Sequence, residues 1–190
     1  MITQPIPTAM HSAQFIGDGE IEFIEKPVPQ VGPGQLLVQC KANALCASDL
    51  GGYRRGSAVT MGHEIAGVVV QAGEGATTPV GTPGVVFLMD FCGQCRSCRL
   101  GLTNQCLQKR ADYGFNRDGG YGPYTLINEN VFFPIDADLA FDEATMLLDI
   151  MGTGGHALSR GQLVHPDVGS LLVSGAGPIG LGVLAMAKLR

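Results

Sequence analysis

Tryptophan is absent from the 190 residues, aromatic side chains make up 6% of them and charged ones only 15%. Basic residues are also scarce: 12 Lys and Arg face 17 Asp and Glu, a net charge of −5. That balance argues against a phosphate-binding surface, since nucleic-acid binders carry a basic patch, and Tyr53-Arg54-Arg55 is too small to supply one. Met1 to Glu20 has neither a basic n-region nor a long apolar stretch, so no secretion signal is expected. Internal repeats and low-complexity tracts are missing too. The longest uncharged run, Val168 to Ala187, has the length of a membrane span but includes five glycines and a proline. Its character changes at Gly175 from strand-like to helix-like, so a strand–turn–helix unit explains it better.

The chain is rich in glycine, with 28, and contains 11 prolines. With so little charge, this composition predicts short apolar strands joined by many turns, in a barrel or sandwich. Expected strands are His11 to Ile16 and Ile21 to Ile24, joined at Gly17-Asp18-Gly19, then Gln35 to Lys41, Ile65 to Gln71, Gly84 to Met89 and Tyr124 to Ile127. After Pro134 the pattern becomes helical: Asp136 to Leu148 and Gly154 to Arg160 read as helices. Leu171 to Ser174 reads as a buried strand, and an apolar helix follows it to the last residue.

Four of the six cysteines, Cys92, Cys95, Cys98 and Cys106, lie within fifteen residues. Such spacing can place four thiolates around one tetrahedral ion with metal–sulfur bonds of about 2.3 Å, leaving no open position. A closed zinc site of that kind stabilises a loop. The competing disulfide reading needs a short secreted scaffold, and neither feature is present. Structural zinc in turn implies a reducing compartment, most simply the cytoplasm.

Gly175-Ala176-Gly177-Pro178-Ile179-Gly180 follows the strand-like run and opens the last helix. In that context it reads as a dinucleotide fingerprint: Gly175 for the tight turn, Gly177 for close approach of a pyrophosphate, Pro178 at the first helical position and Gly180 for helix–strand packing. The alternative is an ordinary buried strand–helix turn. Cys46-Ala47-Ser48-Asp49 and Gly62-His63-Glu64 form a further pair of segments outside the four-cysteine run. Both lie near turns or strand ends, where side chains can converge on a cleft, and they suggest a second metal site with mixed ligands and an open position. Taken singly, Cys46 would be a buried small hydrophobe and His63 a hydrogen-bonded core residue. Cys40 reads as a core thiol, and His11, His156 and His165 carry no ligand signal of their own.

In chain order, Cys46-x-Ser48-Asp49, Gly62-His63-Glu64, the four-cysteine loop with Gly101 and Asn104 inside it, Asp118-Gly-Gly-Tyr121 and Gly175-x-Gly177-x-x-Gly180 together resemble the zinc-dependent alcohol dehydrogenases of the medium-chain dehydrogenase/reductase superfamily. The resemblance covers essentially the whole chain. It implies a mainly β, GroES-like partly open barrel over residues 1–152 and the first strand–helix unit of an α/β Rossmann domain over residues 153–190. It also implies two zinc ions per chain, NAD or NADP, a small alcohol or carbonyl substrate, no nucleic-acid or membrane partner, and a homo-oligomer, dimer or tetramer, in the full-length enzyme.

By the same resemblance Cys46 and His63 become ligands of a catalytic zinc. The third ligand of the family precedes a Thr-Gly segment, which here offers Asp149 before Thr153-Gly154. Glu64 becomes either a fourth, exchangeable ligand or a partner of the ligands. Asp49 becomes the acceptor for the zinc-bound imidazole, or alternatively the cap of a helical turn over Asp49 to Tyr53. Ser48 matches the hydroxyl that takes the substrate proton. The family's usual relay continues through a histidine three residues later, where this chain has Gly51, so the proton must leave through water or another group.

The expected activity is reversible oxidation of a primary or secondary alcohol or polyol to an aldehyde or ketone with hydride transfer to NAD(P). Two alternatives remain at this level: a zinc-independent quinone-type reductase, and a naturally truncated, catalytically incompetent zinc-binding remnant or interaction module. A selector for the cofactor ribose is due about 20 residues beyond the glycines, and the sequence runs only ten past Gly180. A truncated gene product or part of a longer enzyme is therefore expected.

Overall fold

The computed structural model describes residues 5–190. They form two compact units, one ending at Thr145 and one spanning Met146–Arg190. The first unit opens with an antiparallel hairpin of β1 (Ala9–Gly17) and β2 (Glu20–Pro27). Its turn holds Gly17, Asp18 and Gly19 at φ of 101°, 51° and 80°. That left-handed region is open to glycine and tolerated by aspartate, so the composition of the turn fixes the hairpin.

β3 (Gln35–Ala44), β4 (Glu64–Ala72), β5 (Pro83–Val86), β8 (Tyr124–Asn128) and β9 (Phe132–Pro134) build a five-stranded antiparallel sheet in the order β8-β3-β4-β5-β9. A separate two-stranded ladder pairs β6 (Met89–Asp90) with β7 (Ala111–Asp112). Leu36, Val38, Ile65, Val69, Val86, Ile127, Val131 and Phe132 make the core from several strands at once. Each such side chain taken fully out of water contributes about 1.5–3 kcal/mol, which makes this cluster the main stabilising element of the unit.

The β3–β4 ladder contains two irregularities, between Leu37 and Val38 and between Cys40 and Ala42. They leave Val70 and then Lys41 without an opposite residue and so cancel, and the ladder closes in register on Ala44 opposite Glu64. Because β3 leaves the sheet where β4 enters it, the residues just outside that rung share one end of the sheet. Those residues are a 3-10 turn over Ala47–Asp49 followed by α1 (Leu50–Arg55) on one side, and His63 on the other. Bulges of this kind are common next to functional sites, where they re-aim side chains.

One helical and one strand expectation change. Asp136 to Leu148 is not one helix: α3 covers only Phe141–Ala144, and a π-helical turn covers Leu147–Gly152. The Thr145 hydroxyl donates to the Asp142 carbonyl at 2.7 Å, a local bond that competes with continued α-helix. The second unit then holds α4 (Thr153–Val164) and α5 (Pro178–Lys188). A Cβ on Gly154 would lie 2.6 Å from the Val183 nitrogen, so the two helices meet with backbone almost against backbone. Leu171 to Ser174, expected as a buried strand, joins no ladder, and Leu172 is 92% exposed. The reason is topological: a parallel strand needs neighbours reached through crossovers of a dozen or more residues, and the described residues pair none with this run. No helix among the described residues is long and apolar enough to cross a membrane.

Candidate metal centres and nucleotide turn

The four-cysteine lobe hangs from the β6–β7 ladder, with the short helix α2 (Arg96–Arg99) inside it. Cys95 Sγ lies 3.4 Å from Cys98 Sγ and 3.9 Å from Cys106 Sγ, and Cys92 Sγ lies 4.0 Å from Cys98 Sγ. Four sulfurs at about 2.3 Å from a central zinc stand about 3.8 Å apart, so the residues fit the ion. Backbone amides add to the fit. The Cys92 and Gln108 N–H groups donate to Cys106 Sγ, the Cys95 N–H to Cys92 Sγ and the Leu107 N–H to Cys95 Sγ, at 3.3–3.5 Å. Such donors favour thiolate over thiol. The Cys98 and Leu107 amides lower the Cys95 thiol to about 6. Lost solvation, with Cys95 and Cys106 alongside, pushes Cys98 up to about 12. Four thiols this close cannot all ionise unaided, and a divalent cation removes that conflict.

The base of the lobe is pinned by Asp90, which is 1% exposed. Its Oδ1 accepts from Arg110 Nη2 at 2.6 Å and Nε at 3.1 Å, and its Oδ2 accepts from Asn128 Nδ2 at 2.5 Å and from the Tyr113 hydroxyl at 3.4 Å. Arg110 also donates to the Phe91 carbonyl and to Asn130 Oδ1.

At the shared end of β3 and β4, Cys46, His63 and Glu64 each offer a ligand atom, and these atoms lie within 4.8 Å of one another. His63 is 3% and Glu64 7% exposed. Three mixed donors at that spacing, two of them buried, fit a divalent cation. The Ser48 hydroxyl stands 3.5 Å from His63 Nε2, and Asp49 Oδ1 stands 3.4 Å from His63 Nδ1. A proton on Nδ1 facing the carboxylate leaves the Nε2 lone pair for a metal. Phe115 covers the imidazole, with ring centroids 4.8 Å apart. Asp49 also accepts from the Cys46 N–H at 3.1 Å, so its side chain closes the 3-10 turn before it rather than capping the helix over Asp49 to Tyr53, where it makes no cap bond. Burial raises the Asp49 carboxyl, but His63, Tyr121 and the Cys46 amide outweigh it and hold the group below its ordinary range.

Tyr121 was not expected to have a role at the site. Its hydroxyl donates to Asp49 Oδ2 at 2.6 Å, across 72 residues of sequence. Burial and the adjacent carboxylate raise the phenol far above its ordinary value and keep it a donor. The signal for it was the Asp118-Gly-Gly-Tyr121 motif. Gly119, Gly120 and Tyr121 N–H groups donate to the carbonyls of Thr60, Gly62 and Met61, so this segment runs alongside the one that carries His63. Gly62 has φ 92°, and a Cβ there would come within 2.8 Å of the Tyr121 ring. Asp118 clamps the same pair of segments, accepting from the Thr60 N–H at 2.8 Å and from Lys26 Nζ at 2.6 Å.

In the second unit Asp149 occupies the π-helical turn. Gly175 has φ 103°, and a Cβ on Gly180 would lie 2.1 Å from the Gly175 carbonyl oxygen, so the turn closes tightly on the helix. A Cβ on Gly177 would meet nothing within 4 Å. Gly177 caps α5 in an extended conformation, and Pro178 and Ile179 begin the helix, with the proline where a missing N–H costs nothing.

An open antiparallel sheet that carries a mixed-donor centre at one end and a four-thiolate lobe on a separate ladder is the architecture of a metal-binding dehydrogenase domain. The family model for the alcohol dehydrogenase GroES-like domain matches residues 32–137, and the chain belongs to that family. Among curated proteins it is 32% identical over 175 residues to the L-threonine 3-dehydrogenase of Rhizobium etli, a match covering 85% of this chain and 48% of that protein. Among solved structures it superposes with a TM-score of 0.84 and 28% identity on acetophenone reductase from Geotrichum candidum in complex with NAD, over 98% of this chain and 57% of that one. A thermostable alcohol dehydrogenase from Pyrobaculum aerophilum, bound to cobalt and zinc, matches with a TM-score of 0.80 and 25% identity over 95% of this chain and 57% of its own. The chain spans about half the length of the curated relatives it matches.

Proposed function

We propose that the chain carries the catalytic metal site of a zinc-dependent alcohol dehydrogenase that reversibly oxidises a primary or secondary alcohol or polyol to an aldehyde or ketone with NAD or NADP. The observation that carries this reading is the convergence of Cys46, His63 and Glu64, with the Ser48 hydroxyl beside the imidazole. When bound, zinc supplies a Lewis acid to the substrate oxygen and the nicotinamide supplies a hydride acceptor.

The chain's own residues do the rest. Ser48, whose hydroxyl stands 3.5 Å from His63 Nε2, would take the substrate hydroxyl proton. Asp49 orients His63 and fixes its tautomer, and Phe115 shields one face of the imidazole from water. Beyond Ser48 the usual histidine is replaced by Gly51, so the proton leaves through water or another group. The Gly175-to-Gly180 turn holds the dinucleotide pyrophosphate at the start of α5. The family resemblance assigns Asp149 as the third protein ligand, and Glu64, which lies with Cys46 and His63, as an exchangeable fourth. The four-cysteine lobe binds a second, structural zinc. Relatives that act on threonine and on an aromatic ketone support a small hydroxyl or carbonyl substrate. A cytoplasmic homo-oligomer fits the free thiols and the family.

Metal analysis of the purified chain tests this. Two zincs per chain are expected, with one lost in Asp149→Ala. Retention of both by that variant would remove Asp149 from the ligand set, and a chain holding zinc on the four cysteines alone would sink the active-site assignment.

A further inference from the structure

We infer that Tyr121 is a positioning residue for the open metal site, acting through Asp49 on the orientation of His63. The inference rests on the reading of Cys46 and His63 as metal ligands. Asp49 is 4% exposed and has two carboxylate oxygens to satisfy. One faces His63 Nδ1 at 3.4 Å, while the other is gripped by the Tyr121 hydroxyl at 2.6 Å and the Cys46 N–H at 3.1 Å. The carboxylate therefore touches both ligand residues, one through its backbone and one through its ring.

Without the phenol the Cys46 amide alone would hold Oδ2, and the carboxylate would be held less firmly in the orientation that faces His63. Tyr121 is itself held on three sides. Its ring stacks on Phe15 at a centroid distance of 5.6 Å, its N–H is bound by the Met61 carbonyl, and it stands against Gly62, next to His63. The hydroxyl is thus delivered by a segment that is hydrogen-bonded along the one bearing the histidine. Groups that orient metal ligands from behind typically change metal affinity by about 10- to 100-fold when removed.

The test is Tyr121→Phe in the full 190-residue chain, which keeps the ring and deletes only the donor. Cobalt(II) titrations read the two sites separately, because four-thiolate and mixed-ligand cobalt differ in visible spectrum. The expected result is an open-site affinity about 10- to 100-fold weaker with an altered cobalt spectrum, and an unchanged four-cysteine site. Equal affinity and spectrum in both proteins would overturn the inference.

Asp49→Asn/Tyr121→Phe supplies the coupling: with the carboxylate gone, deletion of the phenol should have little further effect, and a full additive loss would count against action through Asp49. If Tyr121→Phe does not fold, the Tyr121 hydroxyl proton of the unmodified chain decides. Its resonance should move when the open site is loaded with zinc, and invariance overturns the claim. Cys46→Ser separates the two readings. If it leaves open-site metal untouched, the site itself is misassigned, whereas loss of metal there with no effect of Tyr121→Phe refutes only the role of the tyrosine.

Discussion

Replacing Asp90 by alanine should be among the most destabilising single changes available outside the sheet core. The carboxylate is 1% exposed and takes well-placed donors from Arg110 at 2.6 and 3.1 Å and from Asn128 at 2.5 Å. Hydrogen bonds to a charged group contribute about 1.5–3 kcal/mol each, and removal of one partner leaves the others buried and unsatisfied. Arg110 is 46% exposed, so water can recover much of its solvation. Counting Arg110 and Asn128 at the low end gives about 3 kcal/mol.

Lys109→Ala is the control. Its ammonium pairs with Asp112 at 2.7 Å on the same ladder but lies at the surface, where such a pair contributes below about 0.5 kcal/mol. Urea unfolding of the zinc-loaded chain, followed by circular dichroism with m-values compared, measures both. An Asp90→Ala loss below about 1 kcal/mol would refute the argument that this carboxylate anchors the lobe.

Three further outcomes are expected. Gly180→Ala must push its Cβ against the Gly175 carbonyl 2.1 Å away and should cost on the order of 1–3 kcal/mol by thermal unfolding, whereas Gly177→Ala enters open space and should leave stability unchanged while weakening NADH binding in a fluorescence titration. Glu129 is held below its ordinary value of 4.5, first by the Thr78 hydroxyl and then by the amides of Thr78 and Thr77. A depressed folded value means this contribution is complete above pH 4.5 and fades as pH falls through the depressed value, so the melting temperatures of Glu129→Gln and the unmodified chain should converge in acid. A difference that persists there would refute the claim that the ionised carboxylate holds Thr77 and Thr78. Chelation should expose Cys46, Cys92, Cys95 and Cys106 to a thiol reagent at pH 8, while Cys40 and Cys98, whose thiols are both pushed up to about 12, should react far more slowly.

Features governed by local chemistry were legible in the sequence. Gly17-Asp18-Gly19 announces a hairpin because few residues adopt positive φ, and four cysteines at short spacing announce their own convergence. Proline before an apolar run and glycine at Gly175 likewise mark the start of α5. What escaped is whatever depends on distant partners. Tyr121 meets Asp49 across 72 residues and Asp90 meets Asn128 across 38, and no periodicity encodes such pairings. Leu171 to Ser174 has the composition of a strand, yet a strand is a relation between segments. The long helix expected after Pro134 failed for the opposite reason: a single threonine hydroxyl bonding its own turn helped to end α3.

The long β3–β4 ladder sets the two metal centres apart thermodynamically. Cys46 and His63 bracket a chain loop whose ends are already held by the rung Ala44–Glu64 and the rest of a long ladder, so the entropy of closing that loop is carried by the sheet. The four cysteines have a shorter closure, with the rungs Met89–Asp112 and Asp90–Ala111 and the Asp90 carboxylate tying their loop only at its base. An ion leaving the first centre therefore vacates a finished cradle, whereas an ion leaving the second gives back freedom to the chain. Stripping zinc should silence one site and unravel the other.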